Sequence, residues 1–293
     1  MSDSGLAPHP DVQGFFDAAT NTVSYIVHDP VTKAAAIIDP VLGFTARNAR
    51  TSTVHADALL EVIQAQNLDL KYLLETHAHA DHLSAAHYLR TQTGAPVMIG
   101  AHITDVQTIF AKLFEADDVL CDGGAFDRLL GDGDVLPLGT LDFHVLHTPG
   151  HTPACVTYVI GDAAFVGDTV FMPDYGTARA DFPGGDATTL YRSIRRVFDL
   201  PPETRLFTGH DYPPASRAEP AWEASVAQHR HSNVHVSDGV SEAEFVAMRT
   251  KRDAKLDAPA LILPALQVNI RAGGMPPASI GGHVYLRLPV NAI

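Results

Sequence analysis

The stretch Thr76-His-Ala-His-Ala-Asp-His82 sets three imidazoles and one carboxylate within seven residues. Three further residues of the same chemical type stand in short motifs downstream: His151 in Thr148-Pro-Gly-His, Asp168 in Val166-Gly-Asp-Thr and His210 in Thr208-Gly-His-Asp-Tyr. Neutral imidazole nitrogens and carboxylate oxygens together suit zinc, iron or manganese better than calcium. A single histidine is more often a surface or packing residue than a ligand. Four motifs carrying seven ligand-type residues in one order are far more specific, and they point to a metal centre. His87, His102, His144, His147, His229 and His231 lack such company and read as solvated or packing residues. Cys155 falls in a strand pattern and reads as a small buried apolar side chain.

Elements that would carry these motifs follow from periodicity. Thr22–His28 and Ala34–Asp39 read as paired strands around a turn at Asp29-Pro30, and Leu70–Leu74 as a short buried strand running into the histidine motif. Helices are expected over His55–Gln66, from near Asp81 through Leu89, and over Thr188–Phe198. Further strands are expected at Pro96–Ile99, Leu141–Leu146, Ala154–Ile160, Ala163–Val166 and Arg205–Thr208. The alternation predicts a layered α/β fold. His77, His79, Asp81, His82, His151, Asp168 and His210 all follow strand ends, where loops on a rigid scaffold meet at one sheet edge. Glycines ahead of His151, Asp168 and His210 allow tight turns there. After Pro213 the chain reads as two polar helical stretches, ending near Arg230 and spanning Ser241–Lys255, and then as Pro- and Gly-rich extended chain.

Bulk properties narrow the function classes. The 293 residues, 46% hydrophobic, are enough for one elaborated domain over 1–293, with a core at about 14–215 and a C-terminal extension at about 216–293. Twenty Lys and Arg against 34 Asp and Glu give a net charge of −14, which argues against nucleic acid as a partner. Two cysteines make no disulfide framework, and the N-terminal MSDSGLAPHPDVQG has neither signal-peptide nor transit-peptide character, so a reducing cytoplasm is expected. No apolar run approaches the roughly 18 residues of a membrane span, so no membrane association is expected.

THAHADH, TPGH at 148–151, GD at 167–168 and GH at 209–210 resemble the metallo-β-lactamase superfamily over roughly residues 14–215. That resemblance implies an αββα sandwich with metal at one edge of the two sheets, here with a C-terminal helical and extended extension. It leaves the reaction open. Within the superfamily, Phe15–Leu42, Gly176–Phe182, Thr189–Tyr191, Gly209–Tyr212 and Asn269–Gly273 look like the persulfide dioxygenase family, also called sulfur dioxygenases. Those enzymes oxidise glutathione persulfide with O2 to sulfite and glutathione, a sulfide-detoxifying reaction of sulfur metabolism. The resemblance implies one Fe(II) per chain bound by His77, His151 and Asp168.

A 2-His-1-carboxylate set suits O2 chemistry because it leaves coordination positions open. His79, Asp81, His82 and His210 then become groups that orient the ligands by hydrogen bonds. The alternative is a dinuclear Zn(II) hydrolase of the glyoxalase II type, with His77, His79 and His151 on one metal, Asp81, His82 and His210 on the other, and Asp168 between. Every residue for it is present. Tyr212 is expected as a polar neighbour of the metal or persulfide. Arg179 and Arg271 are candidates for the glutathione carboxylates, Arg179 alternatively forming a salt bridge with Asp181. The stretch Phe110–Asp134 is longer than in compact family members and is expected as a helix and loop over the site. The helical extension makes a homodimer the expected assembly.

Overall fold

The computed structural model describes residues 9–215 and 217–292. Residues 1–8, most of the stretch read above for leader features, lie outside the described residues. In chain order come β1 (Asp11–Asp17), β2 (Thr22–His28), β3 (Ala34–Ile38), β4 (Val41–Thr45), β5 (Arg50–Ser52), α1 (Val54–Ala65), β6 (Asp69–Leu74), β7 (Leu83–Ser84), α2 (Ala86–Thr93), β8 (Val97–Gly100), α3 (Ile103–Phe114) and β9 (Arg128–Leu130). There follow β10 (Val135–Leu138), β11 (Leu141–His147), β12 (Val156–Ile160), β13 (Ala163–Gly167), α4 (Ala187–Phe198), β14 (Arg205–Thr208), β15 (Glu223–Ser225), α5 (Val226–Ser232), α6 (Glu242–Asp253) and α7 (Ile262–Asn269).

Two six-stranded sheets, ordered β1-β2-β3-β6-β8-β9 and β10 through β15, stack face to face. The apolar pattern of the central strands explains the layering. In β2 and β3, Val23, Tyr25, Val27, Ala36 and Ile38 point into the core between the sheets, while Ile26, Ala35 and Ile37 point outward under α1, α2, α3 and α7. In β13 and β14, Phe165 and Phe207 share the inner core, while Ala164, Val166 and Leu206 face α4, α5 and α6. Strands buried on both faces are apolar throughout rather than alternating. The result is helices, sheet, sheet, helices, a mixed α/β sandwich. Two inner phenols reach site loops from this core. Tyr25 donates to Thr208 O at 2.6 Å and Tyr158 to Glu75 O at 2.8 Å, which satisfies hydroxyls that burial would otherwise leave unpaired.

Strands β3 and β6 run parallel, as do β13 and β14, so their carboxyl ends meet at one edge of the sandwich. Gly167 there has φ +49°, and a Cβ would lie 2.5 Å from Thr76 Oγ1. Gly209 has ordinary backbone and is needed for space instead: its Cβ would lie 2.7 Å from Asp168 Oδ1.

Three expectations change. Asp81 and His82 do not open a helix, because Leu83–Ser84 pairs with Val41–Leu42 as β7 and Ala85 N donates to Pro40 O, so α2 starts only at Ala86. The segment after Ala260, expected as extended chain, contains α7, whose Pro264 sits in the first turn, where its missing N–H removes no helical bond. The 110–134 stretch does not cover the site. It packs against the C-terminal extension, with Asp118 on Arg271 at 2.7 Å and Phe114 O on Arg287 at 2.7 Å.

Candidate metal centre

The carboxyl-end loops bring all seven ligand-type residues together. His77, His151 and Asp168 form one group whose ligand atoms lie within 4.8 Å of one another, and His79, Asp81, His82 and His210 form a second. His79 stands between them, its ring centroid 4.0 Å from that of His77 and 4.2 Å from that of His82. The hydrolase alternative placed His79 with His77, and the structure groups it with Asp81, His82 and His210. Asp168 joins the groups, Oδ2 lying 3.7 Å from His151 Nε2 and Oδ1 3.5 Å from His210 Nε2.

On four of the five rings one nitrogen is tied to protein. His77 Nδ1 meets Thr76 Oγ1 at 3.0 Å, His151 Nδ1 donates to Arg179 O at 2.8 Å, His82 Nδ1 meets Asp81 Oδ2 at 3.0 Å, and His210 Nδ1 donates to Asn21 O at 3.2 Å. His77 Nε2, His79 Nδ1, His82 Nε2, His210 Nε2 and Asp168 Oδ1 are buried without a hydrogen-bond partner among the described residues. Buried polar atoms are normally paired. These atoms, with His79 Nε2 and Glu75 Oε2 beside them also without a hydrogen bond, are all metal-ligand types at one edge and fit a bound cation, and the fixed second nitrogens of His77, His82, His151 and His210 orient those rings as metal sites require.

The electrostatics differ between the two groups. Burial, then repulsion from His79 and His151, holds His77 well below the usual imidazole range, so its lone pair is available. Burial would raise Asp81, but His210 and His82 hold it well below the carboxylate range. His210 is pushed up to about 9, because Asp168 and Asp81 outweigh the burial that would lower it.

Sequence reasoning missed the groups beneath His79. Its Nε2 lies 3.1 Å from Asp39 Oδ1 and 3.3 Å from Glu75 Oε2, and these three buried residues form a further cluster. Asp39 also accepts from Thr76 N at 2.7 Å and Thr76 Oγ1 at 2.8 Å, which anchors the loop. Burial opposes its ionisation, but His79 and Thr76 hold Asp39 down, whereas burial pushes Glu75 up. The available signal was position, since Asp39 and Glu75 end strands at the same edge as the histidines. Asn269 was missed as well: its Nδ2 donates to His79 O at 2.7 Å and His82 O at 2.8 Å, and its Oδ1 accepts from Ser84 N at 2.8 Å.

A cavity of about 500 Å³ opens over His151, Asp168 and Asp81. Its wall includes Phe171, Tyr175 and Tyr212 on one side and Arg249, Arg252, Leu256 and Leu261 of the extension on the other. A larger cavity of about 630 Å³, lined by Phe44, Leu263 and Leu288 among others, contains no charged residue. Tyr212 stacks on His210 with ring centroids 5.5 Å apart. Arg179 also lines the site, with its fork closed on Asp181 at 2.6 and 2.8 Å and Nη1 on Asp257 O at 2.7 Å. Arg271 is not in this cavity. It lies in another, of about 320 Å³, paired at both nitrogens with Asp118, because the turn after α7 carries it to the 115–118 segment. Cys155 is buried and its thiol is pushed up to about 12 by burial, which leaves it inert. His229 is a buried packing residue. No helix is long and apolar enough to cross a membrane among the described residues.

Comparison with known proteins agrees with this geometry. The model of the metallo-β-lactamase superfamily matches residues 18–210. A probable metallo-hydrolase of Burkholderia pseudomallei is 53% identical, over 96% of this chain and 99% of the relative. A beta-lactamase hydrolase-like protein of Xylella fastidiosa is 50% identical over 97% of this chain, which spans 65% of that relative's length. The mitochondrial persulfide dioxygenase ETHE1 of Mus musculus is 30% identical, over 90% of this chain and 89% of its own. The crystal structure of ETHE1 from Myxococcus xanthus superposes with a TM-score of 0.72 at 31% identity, over 90% of this chain and all of that one. Family match, relatives and sandwich architecture agree: the chain belongs to the metallo-β-lactamase superfamily.

Proposed function

We propose that the protein is a persulfide dioxygenase that converts glutathione persulfide and O2 into sulfite and glutathione at one ferrous ion held by His77, His151 and Asp168. One observation carries the reading. Two imidazoles and one carboxylate form a compact group, two of whose members, His151 and Asp168, also line the cavity. Iron held by such a set would supply the redox chemistry that joining O2 to sulfur requires. The chain's own residues do the rest. Thr76 Oγ1 and Arg179 O fix the rings of His77 and His151 through Nδ1, which leaves each Nε2 as the atom for the metal. Asp81 holds His82 Nδ1 and lies 3.4 Å from His210 Nε2, so these side chains brace one another behind Asp168. Phe171, Tyr175, Tyr212 and Leu261 wall the reacting sulfur against water. The 30% identity to mouse persulfide dioxygenase along nearly the whole chain supports this reading.

A second reading, a dinuclear zinc thioesterase of the glyoxalase II kind, is favoured by the position of Asp168 between the two groups and by the 53% identical probable metallo-hydrolase. Metal analysis of anaerobically purified protein, coupled to an oxygen-electrode assay with glutathione persulfide, separates the two. One iron per chain with O2 consumption is expected. Two zinc ions per chain and thioester cleavage without O2 would replace the proposal with the second reading.

A further inference from the structure

Three guanidinium groups reach the cavity over the metal centre, and they differ in what they hold. Arg179 is closed on Asp181. Arg249 is buried and closed on Asp253, with Nε to Oδ1 at 2.8 Å. Arg252, one turn further along α6, lines the cavity, is exposed, and makes no salt bridge among the described residues. The wall's carboxylates are Asp81 and Asp168, both in the metal groups. Nearby His235 adds no charge: burial, then Arg252 and Arg249, hold it down to about 4, and its Nδ1 accepts from Thr177 N at 3.1 Å.

On a chain of net charge −14, this leaves, among the described residues, one arginine of the cavity wall without a carboxylate partner. A guanidinium fork matches a carboxylate in bidentate fashion, and a cation beside a cavity draws anions into it. Leu256, Pro259, Ala260 and Leu261, directly after α6, supply apolar wall to the same cavity, and a volume of about 500 Å³ falls among those that enclose small ligands.

We infer that Arg252 is the specificity-determining anchor that binds a carboxylate of a peptidic thiol derivative and so directs its sulfur toward His77, His151 and Asp168. The identity of the sulfur group rests on the proposed dioxygenase reading; the carboxylate anchor does not, since a glutathione thioester would use it equally. The anchor belongs to the C-terminal extension, so the extension selects the substrate while the sandwich supplies the metal.

Isothermal calorimetry on metal-loaded protein tests this directly, with reduced glutathione and its dimethyl ester, which lacks both carboxylate charges. Arg252→Gln is expected to weaken glutathione binding roughly ten- to hundredfold and to leave ester binding unchanged, with Arg252→Lys intermediate. Lys255→Gln, outside the cavity wall, serves as the charge control and is expected to bind both ligands like wild type. Three results would overturn the anchor: no glutathione binding by the wild type, equal binding by Arg252→Gln, or equal weakening of both ligands. Wild-type protein that binds glutathione through Arg252 yet consumes no O2 refutes the dioxygenase reading and upholds the anchor.

Discussion

Replacing Asp253 by alanine would strand Arg249 inside the protein. The two side chains are only 5% and 2% exposed, and together they clamp the loop that carries Arg179: Asp253 Oδ2 accepts from Ala180 N at 2.9 Å and Arg249 Nη1 donates to Thr177 O at 3.1 Å. Removing one partner of a buried pair costs about 3–5 kcal/mol, mostly because the remaining charge is buried without compensation. Losing the Ala180 N–H bond falls within that range or adds about 1 kcal/mol. A loss of about 4 kcal/mol is expected. With an unfolding entropy of about 0.6 kcal/mol/K for a chain of this length, Tm falls by about 6–8 °C. Calorimetric scanning of metal-loaded protein reads this out. The informative comparison is the double variant Arg249→Met/Asp253→Leu, which removes both charges and should recover to within about 2 kcal/mol of wild type. A drop below about 2 °C in Asp253→Ala, or a double variant no better than the single one, would refute the reasoning that burial of an unpaired guanidinium sets the cost.

Further outcomes follow from other parts of the molecule. Gly209→Ala places a Cβ 2.7 Å from Asp168 Oδ1 and should lower metal affinity roughly tenfold or more with little change in circular dichroism; unchanged metal content after dialysis against chelator would contradict it. His229, held down to about 4 by burial, is neutral in the folded state. Its contribution is therefore complete above the unfolded value near 6.5 and is lost as pH falls toward 4, about 3 kcal/mol in total. Urea midpoints at pH 7.5 and 5 should consequently differ less in His229→Leu than in wild type. If one metal is bound, His82→Gln should keep a metal-to-chain ratio near that of wild type while His77→Ala abolishes it; a halved ratio in His82→Gln would indicate two metals.

What the sequence could reveal was whatever local pattern encodes. The segments Thr22–His28 and Ala34–Asp39 read as paired strands from their apolar residues, and the rule that ligands follow strand ends placed His77, His151, Asp168 and His210 at one edge. Pairings made at a distance were hidden. Leu83–Ser84 became a strand because Val41–Leu42, some forty residues earlier, offers an edge. Arg271, a candidate for the glutathione carboxylates, has its fork closed by Asp118, 153 residues away. Asp39 and Glu75 carried the same positional signal as the histidines but stand outside the four motifs that drew attention to the others. Arg252 had no signature in sequence at all, since its value comes from Arg179 and Arg249 being neutralised by neighbours.

The three hydrogen bonds from Asn269 to the His79, His82 and Ser84 backbone have a consequence for the order in which the protein matures. The histidine loop leaves the ribosome about 190 residues before the asparagine that pins it, an interval of roughly ten to forty seconds at ordinary rates of synthesis. During that interval the nascent chain offers imidazoles in a loop whose shape is not yet set. The helix α7, which carries this asparagine, is therefore the element that fixes the backbone of the histidine loop, and it can do so only after the loop itself has been made.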